Sequence, residues 1–248
     1  MSNRVSLKER IHSGETLYTI RTPVEIGRSE LEGLLGQGKC DFLSVDSQHV
    51  AFSEGLLVEF CAIAEELDIP VHFRIPHTRH AYLIGRYLDL GPTGILVPEV
   101  IDELTIQEAM ASFYYPQLGK RSWGGLTRHG VKARGDQLDR LEYADWWNRR
   151  GVLSIQLESV EAIVHARQLA KPGIDLLCFG LNDLAFSLEG HPDHPFKTVE
   201  ECIRNVAQQI KGSTIRLMTT VNTPAECDQY LDLGVSVLCV PQTLLPKR

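Results

Sequence analysis

Eight short apolar runs, separated by longer stretches whose apolar residues recur at helical spacing, restrict this chain more than any other feature does. They fall at residues 17–24, 42–46, 71–75, 94–98, 153–157, 176–179, 215–221 and 235–240. Near-continuous runs of Val, Ile and Leu suit strands buried on both faces, and parallel sheets bury strands in this way by alternating them with helices. Helices are predicted over 52–67, 81–90, 103–113, 160–169, 198–210 and 224–233, with Thr198 as an N-cap. The fold expected is α/β, a TIM (β/α)8 barrel.

Two stretches break the repeat. The connection 114–151 is much longer than a usual βα loop, and 136–148 within it reads as an extra helix. An insertion at about 115–151 is therefore expected over the barrel mouth, where long loops set specificity. After the last run only Pro241-Gln242-Thr243-Leu244-Leu245-Pro246-Lys247-Arg248 remains, too short and too Pro-flanked for a substantial eighth helix, which is predicted to be truncated or missing. Nothing resembles an interdomain linker, so 1–248 is read as one barrel domain.

Composition narrows the function classes. With 43% hydrophobic and 23% charged residues among 248, the chain is globular in type. No apolar run approaches the roughly 20 residues of a membrane span, and Met1-Ser2-Asn3-Arg4 lacks the apolar core of a signal peptide, so a cytoplasmic protein with no membrane partner is expected. A net charge of -7 argues against nucleic acid as a partner. The six cysteines include no Cys-x-x-Cys pair and read as reduced, buried thiols.

Polar residues collect where the runs end: Asp46, Arg74, Glu158 and Asp183. In a parallel barrel these positions share one mouth. Glu158 and Asp183, at the ends of successive strands, suit a hard divalent cation with open positions for water and substrate, although a rim carboxylate and a helix N-cap would also account for them. In Asp46-Ser47-Gln48-His49 a carboxylate close to an imidazole can orient the ring and raise its basicity, which makes His49 a candidate general base; an ordinary capped turn is the alternative. Arg74 suits a carboxylate or a developing enolate, or else a surface ion pair, and His72 shares its face. Gly180-Leu181-Asn182-Asp183 reads as a tight strand-to-helix turn whose amides can take a carboxylate. Neither a Gly-x-Gly-x-x-Gly fingerprint nor a Walker loop is present, which disfavours nucleotides.

Taken in order, Asp41-Phe42-Leu43-Ser44-Val45-Asp46-Ser47-Gln48-His49, Phe73-Arg74-Ile75-Pro76, Tyr87-Leu88-Asp89-Leu90-Gly91, Tyr115-Pro116-Gln117-Leu118-Gly119-Lys120-Arg121, Gln156-Leu157-Glu158 and Gly180-Leu181-Asn182-Asp183-Leu184 resemble the HpcH/HpaI-type class II pyruvate aldolases. The resemblance implies a carbon–carbon lyase acting on a 4-hydroxy-2-oxo acid through a metal-bound pyruvate enolate, with a 2-oxo acid and an aldehyde as small-molecule partners. It implies that Glu158 and Asp183 hold Mg2+, Mn2+ or Co2+, that His49 supported by Asp46 manages the proton with Asp89 tuning it, and that Arg74 stabilises the enolate. Gln156, Gly180, Asn182 and Asp183 would hold the pyruvate half, in a homo-oligomer. Gln48 stands where the family pattern has glutamate, and Ser122 and Trp123 depart from the loop that follows the family's arginine. Oxaloacetate decarboxylation, or an inert sibling that binds a small acid, are the alternative outcomes.

Overall fold

The computed structural model describes residues 5–135 and 138–247. Eight parallel strands close into a barrel in sequence order: β1 Leu17–Arg21, β2 Phe42–Asp46, β3 Val71–Arg74, β4 Gly94–Val97, β5 Val152–Leu157, β6 Leu176–Phe179, β7 Arg216–Thr220 and β8 Val235–Cys239, with β8 returning to pair with β1. The expected TIM barrel is thereby observed. The helices are α1 Leu7–Ser13, α2 Arg28–Leu35, α3 Glu54–Glu66, α4 Ile84–Leu88, α5 Glu103–Phe113, α6 Arg140–Arg150, α7 Val160–Val164, α8 Ala166–Leu169, α9 Leu181–Glu189, α10 Val199–Gln209 and α11 Pro224–Asp232. None among the described residues is long and apolar enough to cross a membrane.

Side-chain alternation along each strand divides the apolar residues into two sets. Ile20, Leu43, Val45, Phe73, Ile95, Leu153, Ile155, Leu177 and Leu217 point outward under the helices, whereas Leu17, Phe42, Val152, Leu176 and Val237 fill the barrel interior. Above the inner apolar layer lies a polar belt. Thr19 Oγ1 and Ser44 Oγ are 3.0 Å apart, and His72 Nε2 and Ser154 Oγ are also 3.0 Å apart. Each hydroxyl and the imidazole therefore has a partner away from water, as burial requires.

Helix α1, which the sequence reading left out, closes the N-terminal end of the barrel. Its start is a capping box: the Ser6 hydroxyl accepts from the Glu9 amide, and Glu9 in turn accepts from the Ser6 amide. Ile11 is fully buried with the interior apolar set, and the helix is tied down by side-chain contacts with Asp175, the residue before β6. Lys8 Nζ stands 3.3 Å from Asp175 Oδ2 and His12 Nε2 2.7 Å from Oδ1, while the Leu153 amide donates to Oδ2 at 2.8 Å. Lys8 also donates to the Tyr114 hydroxyl, at 3.1 Å.

Several expected elements differ in detail. The 81–90 helix is a 3-10 turn, Thr78–Leu83, followed by α4, and the 160–169 helix is broken at His165 into α7 and α8. Within the long connection α6 starts after the Asp139 cap; residues 136 and 137 of the predicted 136–148 helix lie outside the described residues. A short turn, Gln242–Leu244, takes the place of an eighth helix.

Asp175→Ala leaves the Lys8 charge and the Leu153 amide unpaired in a buried setting, and is expected to cost about 3 kcal/mol in urea unfolding. Lys8→Met is expected to cost less, because Asp175 keeps His12 and the Leu153 amide. Equal losses would show that the carboxylate is not the hub of this closure.

Candidate active site

At the C-terminal ends of the strands lies a cavity of about 500 Å3, in the range of small-ligand sites. Its wall includes Asp46, His49, Arg74, Gln156, Gly180, Asn182 and Asp183, from strand ends far apart in sequence, whereas Glu158 is not among the described residues that line it. A hydrogen-bonded chain runs around one side of it. Arg74 donates through Nε to Asp46 Oδ1 at 2.7 Å and through Nη2 to Oδ2 at 2.5 Å, and through Nη1 to Gln156 Oε1 at 3.3 Å. Gln156 Nε2 donates to Glu158 Oε2 at 2.5 Å, and the Glu99 amide donates to Glu158 Oε1 at 2.6 Å.

Two backbone features make room for Glu158. Glu99 follows the β4 end with φ of 53°, a left-handed conformation that is costly for a residue with a Cβ, and in it the Glu99 amide reaches Glu158. Opposite, a Cβ on Gly180 would stand 2.4 Å from Glu158 Oε2 and 2.6 Å from Gln156 Nε2, so only glycine fits. Gly180 also starts α9 without a side-chain cap, which leaves the first amides of that helix, at Leu181, Asn182 and Asp183, as donors for an anion.

The electrostatics follow from burial. Glu158 is pushed up to about 7 by desolvation, to which the charges of Asp183 and Glu99 add, against the Glu99 amide and Arg74. For Asp46, burial works upward, but the hydrogen bonds and charge of Arg74 outweigh it and hold this carboxyl below the usual range. Burial lowers His72, in the polar belt beneath the cavity, to about 4, so the ring is neutral near pH 7.

Three placements differ from the sequence reading. Asp46 does not orient His49: both its oxygens are taken by Arg74, and Oδ1 also accepts from the Gln48 amide at 2.9 Å. The His49 side chain is exposed on the rim. Asp89 is apart from this group, because it ends α4 on the outer layer, where its carboxylate accepts from Arg121 Nη2 at 2.9 Å. Among the described residues, the insertion contributes none to the cavity wall. It packs on the barrel flank, with the Arg121 guanidinium between the Tyr115 and Trp147 rings at 4.7 Å from each, and it reaches the opposite end, where Trp146 and Trp147 border a small cleft with Pro70, Thr93 and Val152.

Sequence reasoning passed over Arg21, which ends β1 and enters the cavity. The alternation Leu17, Thr19, Arg21 carries that signal, since Leu17 and Thr19 both face inward.

Glu158 and Asp183 are the groups suited to a cation. No set of three or more His, Cys, Asp or Glu side chains converges as a metal site among the described residues. Two carboxylates beside an open cavity nevertheless match a hard dication that keeps positions for water or substrate oxygens. A buried carboxylate driven up by its own desolvation and by a second carboxylate is also a place where positive charge is stabilising. The donor set therefore fits a divalent metal.

Comparisons with known proteins bear on the family and the fold. Residues 60–243 match the family model described as HpcH/HpaI aldolase/citrate lyase. The 5-keto-4-deoxy-D-glucarate aldolase of Shigella boydii is 27% identical over 85% of this chain and 80% of the relative. The 4-hydroxy-2-oxo-heptane-1,7-dioate aldolase of Salmonella typhimurium is 28% identical over 84% of this chain and 77% of the relative. Among solved structures, an HpcH/HpaI aldolase from Desulfitobacterium hafniense superposes with a TM-score of 0.80 at 22% identity, covering 96% of this chain and 90% of that one. The same fold is seen in the citrate synthase SbnG, with a TM-score of 0.77 at 22% identity over 95% of this chain and 90% of that one.

The buried His72 generates a stability prediction. Below its ordinary value of 6.5 the unfolded chain takes up a proton that the folded chain refuses until about pH 4. The stability is full above pH 6.5 and falls across that window, by about 3 kcal/mol. Urea midpoints at pH 7 and pH 4.5 should separate wild type from His72→Asn, with the smaller acid loss in the variant. A variant as acid-sensitive as wild type would show that His72 is not the group responsible.

Proposed function

Because the chain belongs to the HpcH/HpaI aldolase/citrate lyase family, a group of carbon–carbon lyases, we propose that it cleaves or forms the C3–C4 bond of a 4-hydroxy-2-oxo acid with the help of a divalent cation. The observation that carries this reading is the buried Glu158 carboxylate at the end of β5, within the electrostatic reach of Asp183 and joined to the Arg74 guanidinium through Gln156. The names of the two aldolases above, one of them acting on a 4-hydroxy-2-oxo acid, support the substrate class.

Glu158 and Asp183 would hold Mg2+ or Mn2+, which when bound supplies a Lewis acid for the 2-oxo group. The substrate's carboxylate would lie at the α9 amides of Leu181, Asn182 and Asp183, where the helix N-terminus favours an anion. Arg74 is held by Asp46 and Gln156 with its guanidinium on the cavity, so its charge stands ready for the oxygen that becomes negative as the bond breaks. Gln156 fixes both Arg74 and Glu158 and so sets the spacing between the two positive centres that oxygen would meet. His49, on the rim, would take the proton of the 4-hydroxyl on an imidazole nitrogen as the C3–C4 bond breaks to leave a neutral aldehyde, and return it to C3 of the remaining three-carbon half, which becomes pyruvate.

Pyruvate release from 4-hydroxy-2-oxo acids in the presence of manganese tests the reading. Glu158→Gln is expected to lower kcat/KM by roughly a thousandfold, several kcal/mol of lost charge stabilisation, without unfolding. Gly180→Ala, which drives a methyl group into Glu158 and Gln156, is expected to weaken manganese binding by about 10–100-fold in calorimetric titration. Activity that is indifferent to chelator and to Glu158→Gln would overturn the proposal.

A further inference from the structure

Charge accounting inside the cavity leaves one group without a counterpart. Of the two guanidiniums that line it, that of Arg74 donates two bonds to Asp46 and one to Gln156. The carboxylates of Glu158 and Asp183 are the pair suited to a dication. Arg21 has no hydrogen-bond or ion-pair partner among the described residues, although its positive field reaches Asp46 and the Cys239 thiol. Arg21 is exposed at the edge of the cavity, and a cation that lines a concave site without an ion-pair partner can receive an anion that arrives with the ligand.

Topology says which part of the ligand that is. Strands close in the order β1 to β8, so β1 is four strands away from β5 in either direction around the barrel, and Arg21 enters across the mouth from the segment that carries Gln156 and Glu158. It shares the wall there with Ser44, its register partner, with Thr220, Asn222 and Cys239 from the ends of β7 and β8, and with the carboxylate of Asp46, both of whose oxygens take Arg74. The cavity of about 500 Å3 is larger than a three-carbon acid fills, and the described residues of the insertion supply no cation to it.

We propose that Arg21 is the specificity-determining residue of this site: it binds a second anionic group on the substrate, at the end remote from the 2-oxo acid, and so narrows the substrate class to 4-hydroxy-2-oxo acids with a terminal carboxylate or similar compact anion. This rests on the aldolase reading for the head of the substrate. The role of Arg21 itself rests only on its charge and position. A guanidinium–carboxylate contact of this kind discriminates against a neutral tail by tenfold or more.

Two arms test it, one of them independent of turnover. In the first, pyruvate release is followed with 4-hydroxy-2-oxoheptane-1,7-dioate and with 4-hydroxy-2-oxoheptanoate, which differ only in a carboxylate or a methyl group at C7. Wild type is expected to favour the diacid by at least tenfold in kcat/KM. Arg21→Met is expected to bring the two within threefold, with the loss on the diacid, and Arg21→Lys to restore part of the preference. In the second arm, 2-oxoadipate and 2-oxohexanoate are titrated calorimetrically into the same proteins with manganese present, and the same order of affinities is expected. Diacid-selective binding that Arg21→Met abolishes, without turnover of either substrate by wild type, would support the role of Arg21 and overturn the aldolase reading instead. No preference for diacids in wild type, a preference that survives Arg21→Met, or an equal loss of both ligands in that variant would overturn the proposal.

Discussion

Keeping one carboxylate out of water sets the terms for the mouth of this barrel. Glu158 costs free energy to bury, and the cost is offset by two donors, the Glu99 amide and the Gln156 side chain. Each donor imposes its own condition. The amide needs a left-handed residue after β4, the glutamine needs Arg74 on its oxygen, and Arg74 needs Asp46 to fix its plane. Gly180 must lack a side chain for any of this to fit. Residues from β2, β3, β5 and the loops after β4 and β6 thus depend on a single oxygen pair.

The polar belt beneath has a complementary effect. Thr19, Ser44, His72 and Ser154 satisfy one another in pairs, so they ask nothing of the cavity above and present nothing ionic to it. The charged side chains of the cavity wall, Arg21, Asp46, Arg74 and Asp183, come from the strand ends and the start of α9. The floor is neutral, which strengthens the fields acting among them.

Much of the architecture was legible in the sequence because it is local. Runs such as 153–157 and 176–179 show their burial by composition, and alternation correctly puts His72 on the face of Arg74. The choice of partners was not legible. Asp46 and His49 are three residues apart and read as a pair, yet the carboxylate takes Arg74, 28 residues away, because adjacent parallel strands bring those two into register. Asp89 likewise goes to Arg121, which the insertion brings against α4. Helix α1 was overlooked although Ser6 and Glu9 spell a capping box, since a helix of 7 residues shows too little periodicity to stand out.

That small helix has an implication for how the molecule is made. The carboxylate that secures Lys8 and His12 lies more than 160 positions downstream, and the pocket that receives Ile11 is walled by residues as late as Val237. During synthesis α1 leaves the ribosome well before its partners and has nowhere to settle until β6 and β8 have followed, so it spends that interval as a solvated, marginally helical segment. Its docking belongs to the last events of folding, a long-range contact made only once the ring has closed.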